Sequence, residues 1–157
     1  MGIQRLRDRD RDRIQEILVA NARFTPTEIG WAMDLVDDVL RSAGPYEAWV
    51  SADDQDVVLG YVLFGLVPQT EDVFDLYWIG VDVMHHGQGV GRQLLQFVED
   101  EVRLRSGRML LIETRSRAGW DRTHRFYRSA GYEEISRIKD FYRVEDDKIV
   151  FCKRLTV

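Results

Sequence analysis

The sequence predicts an α/β (α+β) fold in which one mixed sheet is flanked by helices. Three observations carry this prediction. The first is the order of elements, β-α-α-β-β-β-α-β-α-β-β. The second is a block of three apolar runs, 47–52, 57–67 and 73–83, parted by Asp- and Gly-bearing turns, which favours antiparallel neighbours. The third is a long amphipathic helix over 90–105, where Val90, Leu94, Val98 and Val102 recur every fourth residue. The chain reads as one domain spanning 1–157.

Each element follows from local chemistry. Ile3 to Leu6 is a short apolar run that suits a first strand. Arg9 to Arg23 carries Ile14, Ile17 and Leu18 at helical spacing, with Ala22 at the edge of that face. Thr25-Pro26 starts a second helix, a hydroxyl cap followed by proline at the first position. Its apolar face is Ile29, Met33, Val36 and Leu40, and it stops near Gly44-Pro45. After the three strands and the long helix, Gly107 marks a stop and Met109 to Thr114 is β-type. Arg122 to Ala130 forms a short helix with Asp121 as its cap and Gly131 just past its end. Tyr132 to Lys139 and Lys148 to Leu155 form a final strand pair.

Composition excludes several classes. An apolar fraction of 45% and a charged fraction of 31% are globular values. No run approaches the ~20 apolar residues of a membrane span. The early arginines, from Arg5 to Arg13, break any signal-peptide pattern. One cysteine, Cys152, leaves no internal disulfide, and in its apolar strand it reads as a buried hydrophobe. These features point to the cytoplasm. His85, His86 and His124 lack metal-ligand spacing, so no metal is expected. A net charge of −5 argues against nucleic acid as a partner. That charge is uneven: residues 103–128 hold eight arginines against Glu113 and Asp121, a net +6. The segment reads either as solvated surface or as a local site for a small polyanion.

The chemistry concentrates in residues 77–92. A strand runs into a turn bearing Gly87, Gly89 and Gly91, and the turn opens the long helix. Small residues let backbone amides approach a ligand, and a helix N-terminus adds unpaired N–H donors and a positive dipole end. Together they suit phosphate or pyrophosphate. Neither G-x-G-x-x-G nor a P-loop is present, because Arg92 and Gln93 stand where those patterns need other residues.

The loop His86-Gly87-Gln88-Gly89-Val90-Gly91 resembles the Gln/Arg-x-x-Gly-x-Gly/Ala loop of the GNAT superfamily of acetyl-CoA-dependent N-acetyltransferases. Leu76 to Val83 is similar to that fold's fourth strand. Phe126-Tyr127, followed by Gly131-Tyr132, resembles its Phe-Tyr-x4-Gly-aromatic signature. The resemblance covers nearly the whole chain. It departs at His86, where arginine or glutamine is usual and histidine supplies less permanent charge.

The resemblance implies a sheet of about six to seven strands, splayed at the fourth, with about four helices. It implies acetyl-CoA as acetyl donor, its pantetheine arm pairing with the backbone of Ile79 and Val81. Gly80 between them is compatible with a bulge or a close backbone approach. The pyrophosphate would lie on His86, Gly87, Gln88, Gly89, Val90, Gly91 and Arg92, and Arg128 is a candidate for the remaining phosphate. The reaction implied is direct attack of a primary amine on the thioester in a ternary complex. Tyr127 matches the acid that protonates the leaving thiolate, and Asp75 or Glu113 is the candidate base. The acidic Glu28, Asp34, Asp37 and Asp38 suggest a cationic acceptor. Asp140-Phe141-Tyr142 could rim its pocket or be surface turn, and Trp31, Trp49, Trp78 and Trp120 suit core or pocket wall. Metabolite, antibiotic and protein amines stay open as acceptors, and the resemblance allows a homodimer. The alternative is an acyl-CoA-binding sensor that has kept the cradle and lost turnover.

Overall fold

The computed structural model describes residues 2–155. Its seven strands form one sheet in the order β1-β2-β3-β4-β5-β7-β6. The strands are β1 (Gly2–Arg5), β2 (Tyr46–Ala52), β3 (Val58–Leu66), β4 (Val73–Val81), β5 (Met109–Arg115), β6 (Glu133–Arg143) and β7 (Asp146–Arg154). Four α-helices accompany them: α1 (Arg11–Ala20), α2 (Pro26–Leu40), α3 (Val90–Leu104) and α4 (Asp121–Ser129). β2 to β4 pair antiparallel as expected, β1 pairs antiparallel with β2, β4 and β5 pair parallel, and β7 pairs antiparallel with β5 and β6.

The expected first helix is shorter than its apolar pattern. Residues 8–10 form a separate 3-10 turn, α1 ends at Ala20, and Ala22 lies outside it and exposed. α2 starts where Thr25-Pro26 places it. Thr25 Oγ1 accepts from the Glu28 amide at 3.2 Å, and Glu28 Oε1 accepts from the Thr25 amide at 2.8 Å, a reciprocal capping pair. The helix ends at Leu40, before Gly44. Asp121 is not the cap of α4: Trp120 holds that position without a side-chain bond, and Asp121 sits in the first turn, where the dipole favours it. Gly131 does take the left-handed conformation after α4, at φ +95°.

β3 is buried on both faces, which explains its unbroken apolar run. Val62 and Phe64 pack with Leu94, Leu95, Val98 and Val102 of α3. Tyr61 and Leu63 pack with Ile14, Ile17 and Leu18 of α1 and with Met33 and Val36 of α2.

β4 is irregular. Leu63 pairs with Trp78 and Phe64 with Leu76, so Tyr77 is an extra residue, a β-bulge. Before it, Phe74 and Leu76 face the α3 core; after it, Ile79 and Val81 do. The bulge is therefore at Tyr77 and not at Gly80. Gly80 is instead a close approach: a Cβ there would lie 2.7 Å from the Tyr61 ring.

Candidate active site

β4 and β5 pair from Val73–Met109 to Leu76–Ile112 and no further. β4 continues to Val81 on β3, while β5 continues to Arg115 on β7. The strands thus part at the bulge, and the β5-facing edge of β4 is left without a strand partner. The Val81 carbonyl faces this opening: His86 Nε2 lies 2.9 Å from it and Asn21 Nδ2 3.5 Å. A carbonyl only accepts, so His86 carries a proton on Nε2. Backbone groups two residues apart along a strand face the same way, so those of Ile79 open to the same side.

Two cavities meet in the opening. One, of about 630 Å³, runs along Ile79, Gly80 and Val81 to the loop that opens α3. The other, of about 470 Å³, lies toward α2 and is walled by Trp31, Trp78, Trp120 and Tyr142. They share Arg23, Phe24, Ile79, Thr123 and Tyr127.

The loop is built as an anion cradle. Gly87 and Gly89 have φ of +76° and +86°, a conformation costly for other residues. Gly89 caps α3 without a side-chain bond, and Gln93 donates to its carbonyl at 3.0 Å. The amides ahead of Gln93 belong to the turn that has no helical acceptors. Gly91 needs no special backbone; it lies against Val81 and Phe126. Arg92 borders the cavity and donates to Ser129 Oγ at 3.0 Å.

Titratable groups gather at the junction and on the α2 side. Tyr127 is buried, and burial pushes its phenol well above the usual range while the Arg23 charge opposes this. Asp75 is pushed up to about 6, first by burial and then by Glu113, with Lys148 opposing. Glu113 is more exposed and pairs with Lys148 Nζ at 3.2 Å. Asp34 and Asp38 line the same cavity.

A family model described as an acetyltransferase (GNAT) domain matches residues 44–134, more than half of the chain. This chain belongs to the GNAT acetyltransferase family. A GNAT-family structure from Desulfovibrio desulfuricans is 35% identical, with a TM-score of 0.92 over 99% of each chain. The N-alpha-acetyltransferase RimI of Mycobacterium tuberculosis is 30% identical over 105 residues. That alignment covers 65% of this chain and 62% of the relative, so the chain spans under two thirds of the curated protein it matches. An aminoglycoside 6'-N-acetyltransferase structure complexed with coenzyme A shares the fold at 16% identity and a TM-score of 0.78, over 100% and 98% of the two chains.

Among the residues expected to act in this GNAT chain, the opening brings together Ile79, Val81, His86, Gly87, Gly89, Val90, Gly91, Arg92 and Tyr127, with Asp75 and Glu113 beyond. It does not bring Gln88 or Arg128. Gln88 turns back toward the Met84 carbonyl at 3.5 Å, and Arg128 pairs with Glu134 at 3.7 Å and lies over Phe151. The +6 segment is no single anion site. Arg105 pairs with Glu47 at 2.7 Å, Arg115 and Arg117 pair with Glu28 at 3.2 and 2.7 Å, and Arg122 reaches the cavity beside the glycine loop. Of the acidic α2 residues, Glu28, Asp37 and Asp38 have arginine partners, Asp38 in an exposed pair with Arg41 at 2.8 Å. Trp49 packs on Phe97, away from the cavities. Arg23, Phe24 and Asn21 escaped the sequence reading. They lie about fifty residues from β4, in a stretch with no motif of its own. Among the described residues no His, Cys, Asp and Glu group could hold a metal, and no helix is long and apolar enough to cross a membrane.

Proposed function

We propose that this single domain is an acetyl-CoA-dependent N-acetyltransferase acting on a primary amine. The observation that carries the reading is the continuity of two unlike halves. A glycine cradle and a free strand edge meet, across Ile79 and Tyr127, a cavity walled by aromatic and acidic side chains. Family membership supports acetyl transfer, and the relatives' names, an N-alpha-acetyltransferase and an aminoglycoside acetyltransferase, favour an amine acceptor.

Acetyl-CoA fits the larger cavity. The unpaired amides from Gly87 to Arg92 would hold the pyrophosphate, with Arg92 and Arg122 adding charge. The backbone groups of Ile79 and Val81 suit the amide-bearing arm. For the arm to use the Val81 carbonyl, one of its two present donors, the His86 imidazole or the Asn21 amide, must give way.

The chain's own task is then positioning and proton movement. As the C–N bond forms and the C–S bond breaks, the amine loses a proton and the thiolate gains one. Tyr127, protonated at neutral pH like any phenol, donates to the sulfur as its negative charge develops. Asp75 takes the amine proton: its raised value, near 6, makes it a better base than an ordinary aspartate and leaves it ionised at pH 7. Glu113, held by Lys148, is a substrate anchor. Asp34 favours a cationic acceptor, while Asp38 is already paired with Arg41.

Thiol release measured over a panel of amines tests the proposal. Release above background hydrolysis with at least one amine class supports it. Tight acetyl-CoA binding with no release for any amine identifies the sensor instead.

A further inference from the structure

Arg23 is held as though it were waiting for a negative charge. It lies between α1 and α2 and borders both cavities. Its guanidinium sits 4.3 Å from the Trp120 ring centre and 5.0 Å from that of Phe24. Nη1 donates to Thr123 Oγ1, Nε is buried without a hydrogen-bond partner, and its backbone carbonyl is fixed by Arg117 Nη2 at 2.7 Å. Two nearby arginines, Arg115 and Arg117, each have carboxylates within 4 Å, at Glu28 and Asp146. Arg23 has no such partner among the described residues.

Aromatic faces attract a cation but supply no net charge. A desolvated guanidinium without an anion is costly, and a carboxylate docked on it recovers that cost through charge-assisted, often bidentate bonds. Burial pulls the Arg23 pKa down; Tyr127 and Tyr61 oppose this and Arg117 adds to it. No carboxylate is among the groups acting on it.

We propose that Arg23 receives a carboxylate of the acceptor, one that stands next to the amine to be acetylated, as in a free amino acid. The inference rests on the acetyltransferase reading. The guanidinium lies on Trp120, which lines the acceptor cavity and not the coenzyme cavity. It is also beside Tyr127, at the junction where the amine must arrive. The acceptor cavity is therefore bipolar, with Arg23 where it joins its neighbour and Asp34 and Asp75 on its wall. A free amino acid with a basic side chain matches that polarity, and one with an aromatic side chain matches the tryptophan and tyrosine walls. A peptide N-terminus, whose neighbouring carbonyl is a neutral amide, leaves the Arg23 charge unanswered.

The test uses lysine, arginine and phenylalanine, each beside its amide and its decarboxylated amine, on the full chain loaded with coenzyme A or acetyl-CoA. Calorimetry gives binding and thiol release gives kcat/KM. At least one acid is expected to exceed its amide by about 10- to 100-fold, the size of one hydrogen-bonded charge pair. Arg23→Gln should abolish that ratio with little change for the amide, and Arg23→Lys should restore part of it. A merely structural Arg23 would lower acid and amide alike and leave the ratio intact, which overturns the proposal. Equal binding of acid and amide by the native chain overturns it too. So does an Arg23→Gln defect confined to coenzyme binding. If an acid binds through Arg23 but no amine is acetylated, the acetyltransferase reading fails and the carboxylate site stands.

Discussion

At Tyr127 position counts for more than acidity. Burial makes the phenol a weaker acid, yet the residue lines both cavities where they join. Tyr127→Phe is expected to lower kcat by about 10²- to 10⁴-fold, the usual worth of general acid catalysis. Acetyl-CoA affinity, measured by calorimetry, should stay near the native value. Asp75 makes a pH prediction. As the base it must be ionised, so kcat/KM should climb with pH through an inflection near 6, and Asp75→Asn should lose that limb. The same raised value has the opposite sign for stability. Asp75 favours the fold below the ordinary aspartate range, and this advantage is lost as pH rises through about 6. Native and Asp75→Asn urea midpoints compared at pH 4 and pH 8 would reveal it. Tyr127 and the glycine loop were legible because each belongs to a contiguous motif. Arg23 was not, because its environment is made by Phe24, Trp120, Thr123 and Arg117, and three of these lie nearly a hundred residues downstream.

On the scale of elements, α2 depends on one side chain used twice. Glu28 closes the capping pair with Thr25 and ties α2 to β5 and the residues after it through Arg115 and Arg117. Burial pushes its carboxyl up, but the bonds from Arg117 and Thr25 and both arginine charges outweigh this, leaving it below the usual range. Glu28→Gln should therefore cost about 3 kcal/mol at pH 7 in urea unfolding, as expected for breaking a buried pair. That difference should shrink as pH falls through the depressed value, where the native carboxylate is itself protonated. Thr25→Ala removes the cap alone and should cost only about 1 kcal/mol. The cap was readable from Thr25-Pro26, but the ion pairs were not. The acidic face of α2 suggested four carboxylates for a cationic acceptor, and three of them, Glu28, Asp37 and Asp38, are engaged by arginines.

Over the whole molecule, charge is neutralised in place. The arginine-rich stretch from the last turn of α3 onward reads as one basic block in sequence, yet the fold distributes it among Glu28, Glu47, Glu99 and Asp146. Strand order was legible because apolar runs and turns set antiparallel neighbours. Where the cations went was not, because partners far apart in the chain decide it. Coenzyme A should accordingly be bound by a focused site, and saturating coenzyme should raise the melting temperature. At about 100 times Kd the linkage is worth ~2.7 kcal/mol. A melting temperature unmoved by coenzyme A would count against the cradle.

The extra residue in β4 gives the molecule an arithmetic constraint. Apolar positions facing α3 fall at 74 and 76, then at 79 and 81, a rhythm with one skipped beat. The Tyr77 ring touches Tyr46 at 4.4 Å, and a different side chain would change that contact. Removing the residue altogether would restore plain alternation, leave Ile79 and Val81 on the α3 face and let β4 run on in step with β5, closing the opening. At this position the count of residues is guarded more strictly than their identity, and a one-residue deletion in a relative would mark a chain that has lost the site while keeping the fold.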